Sequence, residues 1–138
     1  MAFRIVAKSE QPIGKTTRPV KAKGYLAWLH ELPCVVSRMS PVEAAHVSFA
    51  NESFGATGRG KSQKASDRWA LPIHPDLHAD QHKHGDERGW WRMQGINPHL
   101  VALVLWGFWN ERGDDATGPA TTLINSGIGR ISRQEAAE

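Results

Sequence analysis

The sequence predicts an α+β domain, with a small two-stranded core and helices packed before and after it. Three observations carry this. Residues 41–47 (P-V-E-A-A-H-V) and 69–73 (W-A-L-P-I) each read as a short strand by the alternation of their side chains. Directly after the second strand, Pro75 and Asp76 suit the opening of a helix: proline wastes no amide there, and the carboxylate favours the positive helix end. Further on, Asn97 and Pro98 at one end and Gly113 at the other frame a long apolar segment as a helix.

Taken in order, residues 1–24 have no hydrophobic periodicity and mix Lys and Arg with Pro12, Gly14 and Pro19, which gives a basic flexible arm. Its six cationic residues face one acid, Glu10, a local charge of 6 − 1 = +5. Residues 25–32 form a short helix with Tyr25, Leu26, Leu29 and Leu32 as its apolar stripe, stopped by Pro33. In the first strand Val42, Ala44 and His46 share one face, and Glu43, Ala45 and Val47 the other. Residues 51–65 are a long, polar, glycine-containing loop made basic by Arg59, Lys61 and Lys64, with Arg68 just beyond. Such a loop suits a nucleic-acid backbone, and a merely flexible loop would look the same. Trp69, Leu71 and Ile73 then alternate on one side of the second strand.

Past the helix that starts at Pro75 and closes at Gly85, Asp86 and Gly95 cap another that contains Trp90 and Trp91. Adjacent tryptophans diverge by about 100° on a helix, so at least one belongs in the core. The helix after Asn97 is apolar nearly all round and is expected to be buried. A weaker helix covers residues 119–125, and residues 129–138 form a frayed tail. The domain therefore spans 25–128.

With 138 residues, 40% of them hydrophobic, and six tryptophans, the chain suffices for one modest core. A net charge of +3 and a pI near 9.3 give a mild basic bias. The single cysteine, Cys34, excludes an internal disulfide, and no apolar run reaches membrane-spanning length. A cytoplasmic location is the expectation.

The chemistry-bearing residues cluster between 46 and 84. His78 and His82 lie four apart on the predicted helix, so their imidazoles share a face and can chelate a divalent cation. His46, alone on a strand beside small residues, reads first as a satisfied core group. The order of strand histidine, basic loop, strand and histidine helix resembles the ββα-metal, or HNH, nuclease motif. Within it, I-H-P-D-L-H (73–78) occupies the frame of the motif's Leu-Cys-x-x-Cys-His. The fuller resemblance is to phage-associated HNH endonucleases of the Ref (recombination enhancement function) type. It rests on L-P-C-V-V (32–36), P-V-E-A-A-H-V (41–47), K-A-S-D-R-W-A-L-P-I (64–73), H-A-D-Q-H (78–82) and G-D-E-R-G-W-W (85–91), in that order.

The resemblance implies an HNH-like core and a metal-dependent DNA endonuclease that acts in phage or prophage recombination. His46 would be the general base, and His78 and His82 would hold a divalent ion (Mg, Mn or Zn). Asp67 would be a third ligand or an orienting carboxylate. Ala45 stands where many such domains place a ligand, so either Asp67 replaces it or His46 is itself a ligand in a three-histidine site and the base lies elsewhere. Arg59, Lys61, Lys64, Arg68, Lys21 and Lys23 would bind DNA phosphates, with a recombinase filament as a further partner. Zinc-stapled members carry two Cys-x-x-Cys knuckles; only Cys34 and His74 remain here, so no structural zinc is expected. Two other readings stand beside this one: a catalytically silent nucleic-acid-binding module, and a metal-binding domain with no nucleic-acid role.

Overall fold

The computed structural model describes residues 20–58 and 65–131. Their order is α1 (Lys23–Leu29), β1 (Glu43–His46), β2 (Ala70–Ile73), α2 (Pro75–His84), α3 (Glu87–Gln94), α4 (Pro98–Arg112) and α5 (Thr117–Asn125). Single 3₁₀ turns occur at Glu52–Phe54, Asp67–Trp69 and Gly113–Ala116. Helix and sheet are mixed, as an α+β domain requires.

The two strands pair antiparallel, with Glu43 opposite Ile73 and His46 opposite Ala70. A two-stranded ribbon is marginal in water by itself. Here α1 and α4 pack on it, and all four residues of β2 are buried. Tyr25, Trp28 and Leu29 from α1, Leu71 and Ile73 from β2, Trp90 and Trp91 from α3, and Leu105 from α4 meet in one core. Tyr25 also crosses it with a hydrogen bond, its hydroxyl donating to the Ala70 carbonyl at 3.0 Å. Burial pushes the Tyr25 phenol far above its usual pKa, so that donor proton stays in place.

The helix boundaries follow their caps. Asp86 accepts from the Gly89 amide and Asn97 from the Leu100 amide, while Gly85 and Gly95 close α2 and α3 with positive φ. Five expectations need correction. Trp69 belongs to the Asp67–Trp69 turn rather than the strand, and β2 is buried on both faces instead of alternating. The long helix α4 is buried along one face only: Leu100 is 36% and Leu103 39% exposed, because the ribbon covers a single side of it. The ordered fold also starts earlier than residue 25. The Val20 amide donates to Ser66 Oγ at 2.9 Å, the Asp67 amide to the Val20 carbonyl at 2.9 Å, and α1 opens at Lys23. At the other end, residues 129–131 are held rather than frayed, since Asn97 and Ile131 donate to the Gly129 and Gly95 carbonyls at 2.8 and 3.0 Å. Residues 1–19 of the predicted arm and 132–138 of the predicted tail lie outside the described residues. Among the described residues, no helix is long and apolar enough to cross a membrane.

Candidate active site

His46 ends β1, and its Nε2 lies 2.8 Å from Oδ1 of Asp67. Asp67 heads the turn that feeds β2, and the register that sets His46 opposite Ala70 brings the two side chains together. The second carboxylate oxygen is occupied as well: Oδ2 accepts the Ala22 amide at 2.7 Å. With the carboxylate accepting the Nε2 proton, the lone pair of a neutral His46 resides on Nδ1. The histidine side chain remains 33% exposed, so Nδ1 chemistry with solvent is open to it. A carboxylate-held imidazole of this kind has the orientation a general base needs.

A second group of side chains forms at the other end of β1. The His74 imidazole caps α2 by accepting the Asp76 amide at 3.2 Å, and Pro75 starts the helix without an unsatisfied amide. His78 and His82 then fall on one face, with their Nε2 atoms 3.1 Å apart. Glu43 Oε1 accepts from His78 Nδ1 at 2.8 Å, which leaves His78 Nε2 as its lone-pair nitrogen. Two nitrogens bound to one tetrahedral ion at about 2.0–2.1 Å are separated by about 3.3–3.4 Å, so the histidine pair sits near that spacing already. A carboxylate on the far nitrogen is the usual way a ligating histidine is oriented. The donor set therefore fits a divalent cation through two imidazoles. Among the described residues, no group of three His, Cys, Asp or Glu side chains is placed to share one ion.

The structure thus brings His46 to Asp67 and His78 to His82, and among the described residues no third donor joins either pair in one ion site. Glu43 and His46 stand at opposite ends of β1, about 10 Å apart along the strand. Asp67, considered from sequence as a third donor beside His78 and His82, is instead engaged by His46 and Ala22. The exposed Lys21 and Lys23 flank Ala22, and Arg68 follows Asp67 with its guanidinium 4.8 Å from the Trp69 ring centroid. Lys21 and Lys23 thus adjoin in sequence the residue whose amide binds Asp67, and Arg68 adjoins Asp67 itself. Arg59, Lys61 and Lys64 lie outside the described residues.

Glu43 was missed by sequence reasoning. On an alternating strand it shares a parity with the buried Ala45, and nothing local marks it as the partner of a histidine 35 residues onward. The usable signal was an acid placed before the strand histidine in a chain that also carries an i, i+4 histidine pair. Compared with protein-family models, curated proteins and solved structures, the chain finds no match in any of the three.

Proposed function

We propose that the chain is a metal-dependent DNA endonuclease, with β1, β2 and α2 as a ββα-metal core of the HNH type and a likeness of motif to Ref-type phage proteins. The observation that carries this reading is the His46–Asp67 pair at 2.8 Å, partly exposed at the end of a strand, with Lys21, Lys23 and Arg68 close in sequence to the residues that hold it. A satisfied core histidine would be closed to solvent, whereas a third of the His46 side chain is accessible.

In this reading His46 Nδ1 accepts the proton of the attacking water, and Asp67 holds the ring and stabilises the imidazolium. His78 and His82 would hold the divalent ion, which when bound offsets the negative charge that builds on the phosphate and leaving oxygens. Glu43 fixes the tautomer that presents His78 Nε2. Lys21, Lys23 and Arg68, joined by Arg59, Lys61 and Lys64 of the loop, neutralise backbone phosphates and carry little sequence information.

Plasmid nicking with Mg²⁺, Mn²⁺ or Zn²⁺, with and without a recombinase filament, tests this. Nicking by the parent that disappears in His46→Ala supports the reading. DNA binding with no nicking under any of these conditions identifies a silent nucleic-acid-binding module instead.

A further inference from the structure

Beyond His46 the chain runs into a second feature that the nuclease reading does not use. Ser48 is tied to α3, its amide donating to the Glu87 carboxylate at 3.1–3.2 Å and its hydroxyl donating to the same group. Next to this clamp in sequence lies a cleft of about 700 Å³, lined by the segment after β1, by α3 and by residues 96–99 and 131. Arg88 and Arg92, one helical turn apart, stand on its wall with Glu52 across from them in the lining, the half-buried Phe49 supplies aromatic surface, and Trp91 lies buried behind it. Its size is that of small-molecule and cofactor sites.

The floor of the cleft is built. His99 is 1% exposed, donates from Nε2 to the Phe49 carbonyl at 2.9 Å, and takes Asn51 Nδ2 at 3.5 Å on its other nitrogen. Both of its neighbours line the cleft. The walls, by contrast, keep unused donors. Arg88 spends one N–H on the Ala50 carbonyl at 3.3 Å while its guanidinium lies 5.3 Å from the Phe49 ring centroid. Arg92 makes no side-chain hydrogen bond or ion pair among the described residues, and the buried indole N–H of Trp91 has no acceptor. The Trp28 and Trp90 indoles, equally buried, each donate at 2.9 Å, which makes Trp91 the exception.

Two guanidinium forks about 6 Å apart at Cβ on one helix face can grip a phosphate from two sides. Aromatic surface beside arginine suits a sugar and base rather than a bare anion. The cleft begins at Phe49, three residues after His46, so at most about 11 Å of chain separates the two. We propose that this cleft is a nucleotide subsite, in which Arg88 and Arg92 hold a backbone phosphate of a single DNA strand and the Phe49 side of the cleft receives the attached nucleoside. The proposal rests on the nuclease reading, since a strand passing His46 is what delivers the neighbouring nucleotide to Arg88 and Arg92.

The test is fluorescence anisotropy of a short labelled single-stranded oligonucleotide with the full chain. Both arginines are exposed, so their replacement leaves the core intact. Arg92→Ala should weaken binding about fivefold and Arg88→Ala/Arg92→Ala more than about tenfold, with the salt slope lowered by about 0.7 for each phosphate no longer neutralised. Arg92→Lys should restore part of the affinity, because charge returns without the fork. Arg112→Ala removes the same charge from α4 and should change binding less than about twofold. Equal losses in Arg92→Ala and Arg112→Ala would reduce the effect to general electrostatics and overturn the subsite. The Trp91 indole N–H resonance, assigned with Trp91→Phe, should move on oligonucleotide addition; an unmoved resonance, or one that inorganic phosphate alone moves equally well, also overturns it. Binding through Arg88 and Arg92 without plasmid nicking supports the subsite and defeats the nuclease reading. Nicking with unchanged affinity in the double variant does the reverse.

Discussion

The hydroxyl of Tyr25 donates to the carbonyl oxygen of Ala70, the residue directly opposite His46 in the sheet. A helix near the start of the fold is thereby coupled to the strand position on which the candidate base depends. The Tyr25 ring meets Trp106 edge-on at 5.0 Å and Trp28 at 6.0 Å, contacts that phenylalanine would keep. Tyr25→Phe therefore isolates the hydrogen bond. It should cost about 1 kcal/mol, since the Ala70 carbonyl loses a buried partner. Urea denaturation should show a lower midpoint with an unchanged m-value.

His99 provides a pH prediction. Burial lowers its pKa below the ordinary 6.5; the hydrogen bond to the Phe49 carbonyl opposes this, and the Arg88 charge adds to the lowering. The unfolded chain then binds the proton more readily than the fold does. Stability from this site is complete above about pH 6.5 and declines as pH falls from there through the folded-state pKa. Protonation would also turn the nitrogen facing Asn51 from acceptor to donor. In urea titrations between about pH 7 and about pH 5, His99→Gln should show a flatter loss of stability than the parent. Parallel curves would locate the acid sensitivity elsewhere.

Asp67→Asn should separate orientation from folding. Asparagine can still accept the Ala22 amide through its oxygen, but it then turns an NH₂ group toward His46 and favours the opposite tautomer. Plasmid nicking should fall by roughly 10²–10⁴-fold, while thermal stability changes by about 1 kcal/mol or less. Nicking at the parent rate would remove Asp67 from the reaction.

What the sequence made legible is what short-range chemistry controls. Asp86 with Gly95, Asn97 with Gly113, and Pro75 with Gly85 each mark a helix whose ends the structure reproduces, because caps act within one turn. The i, i+4 spacing of His78 and His82 translated directly into a nitrogen pair. The links between elements were harder to foresee. His46 and Asp67 are 21 residues apart across a loop with no periodicity, and only the strand register decides which acid meets the histidine. Leu100 and Leu103 look like core by composition, yet exposure depends on where the ribbon ends. The Arg88–Arg92 wall, on a helix read for its tryptophans, becomes visible only when the segment after β1 is laid beside it.

The last prediction concerns the histidine pair and Glu43. In the metal-free chain the two Nε2 atoms can share one proton, with His82 donating to His78 because His78 Nδ1 is committed to Glu43. A divalent ion needs both Nε2 lone pairs, so on binding the His82 proton would move to its Nδ1. Isothermal titration with Mn²⁺ should show heat in the parent that His78→Ala and His82→Ala each abolish, since either change leaves one imidazole where two are needed. Glu43→Gln keeps an oxygen for His78 Nδ1 but removes the charge that raises ligand basicity. It should weaken the metal about tenfold, at the mild end of what outer partners contribute. His46→Ala should leave Mn²⁺ affinity at the parent value, because His46 is engaged with Asp67 at the far end of β1. If His46→Ala instead loses the ion along with His78→Ala, His46 is a ligand, and the proton acceptor has to be sought among other groups bordering Asp67.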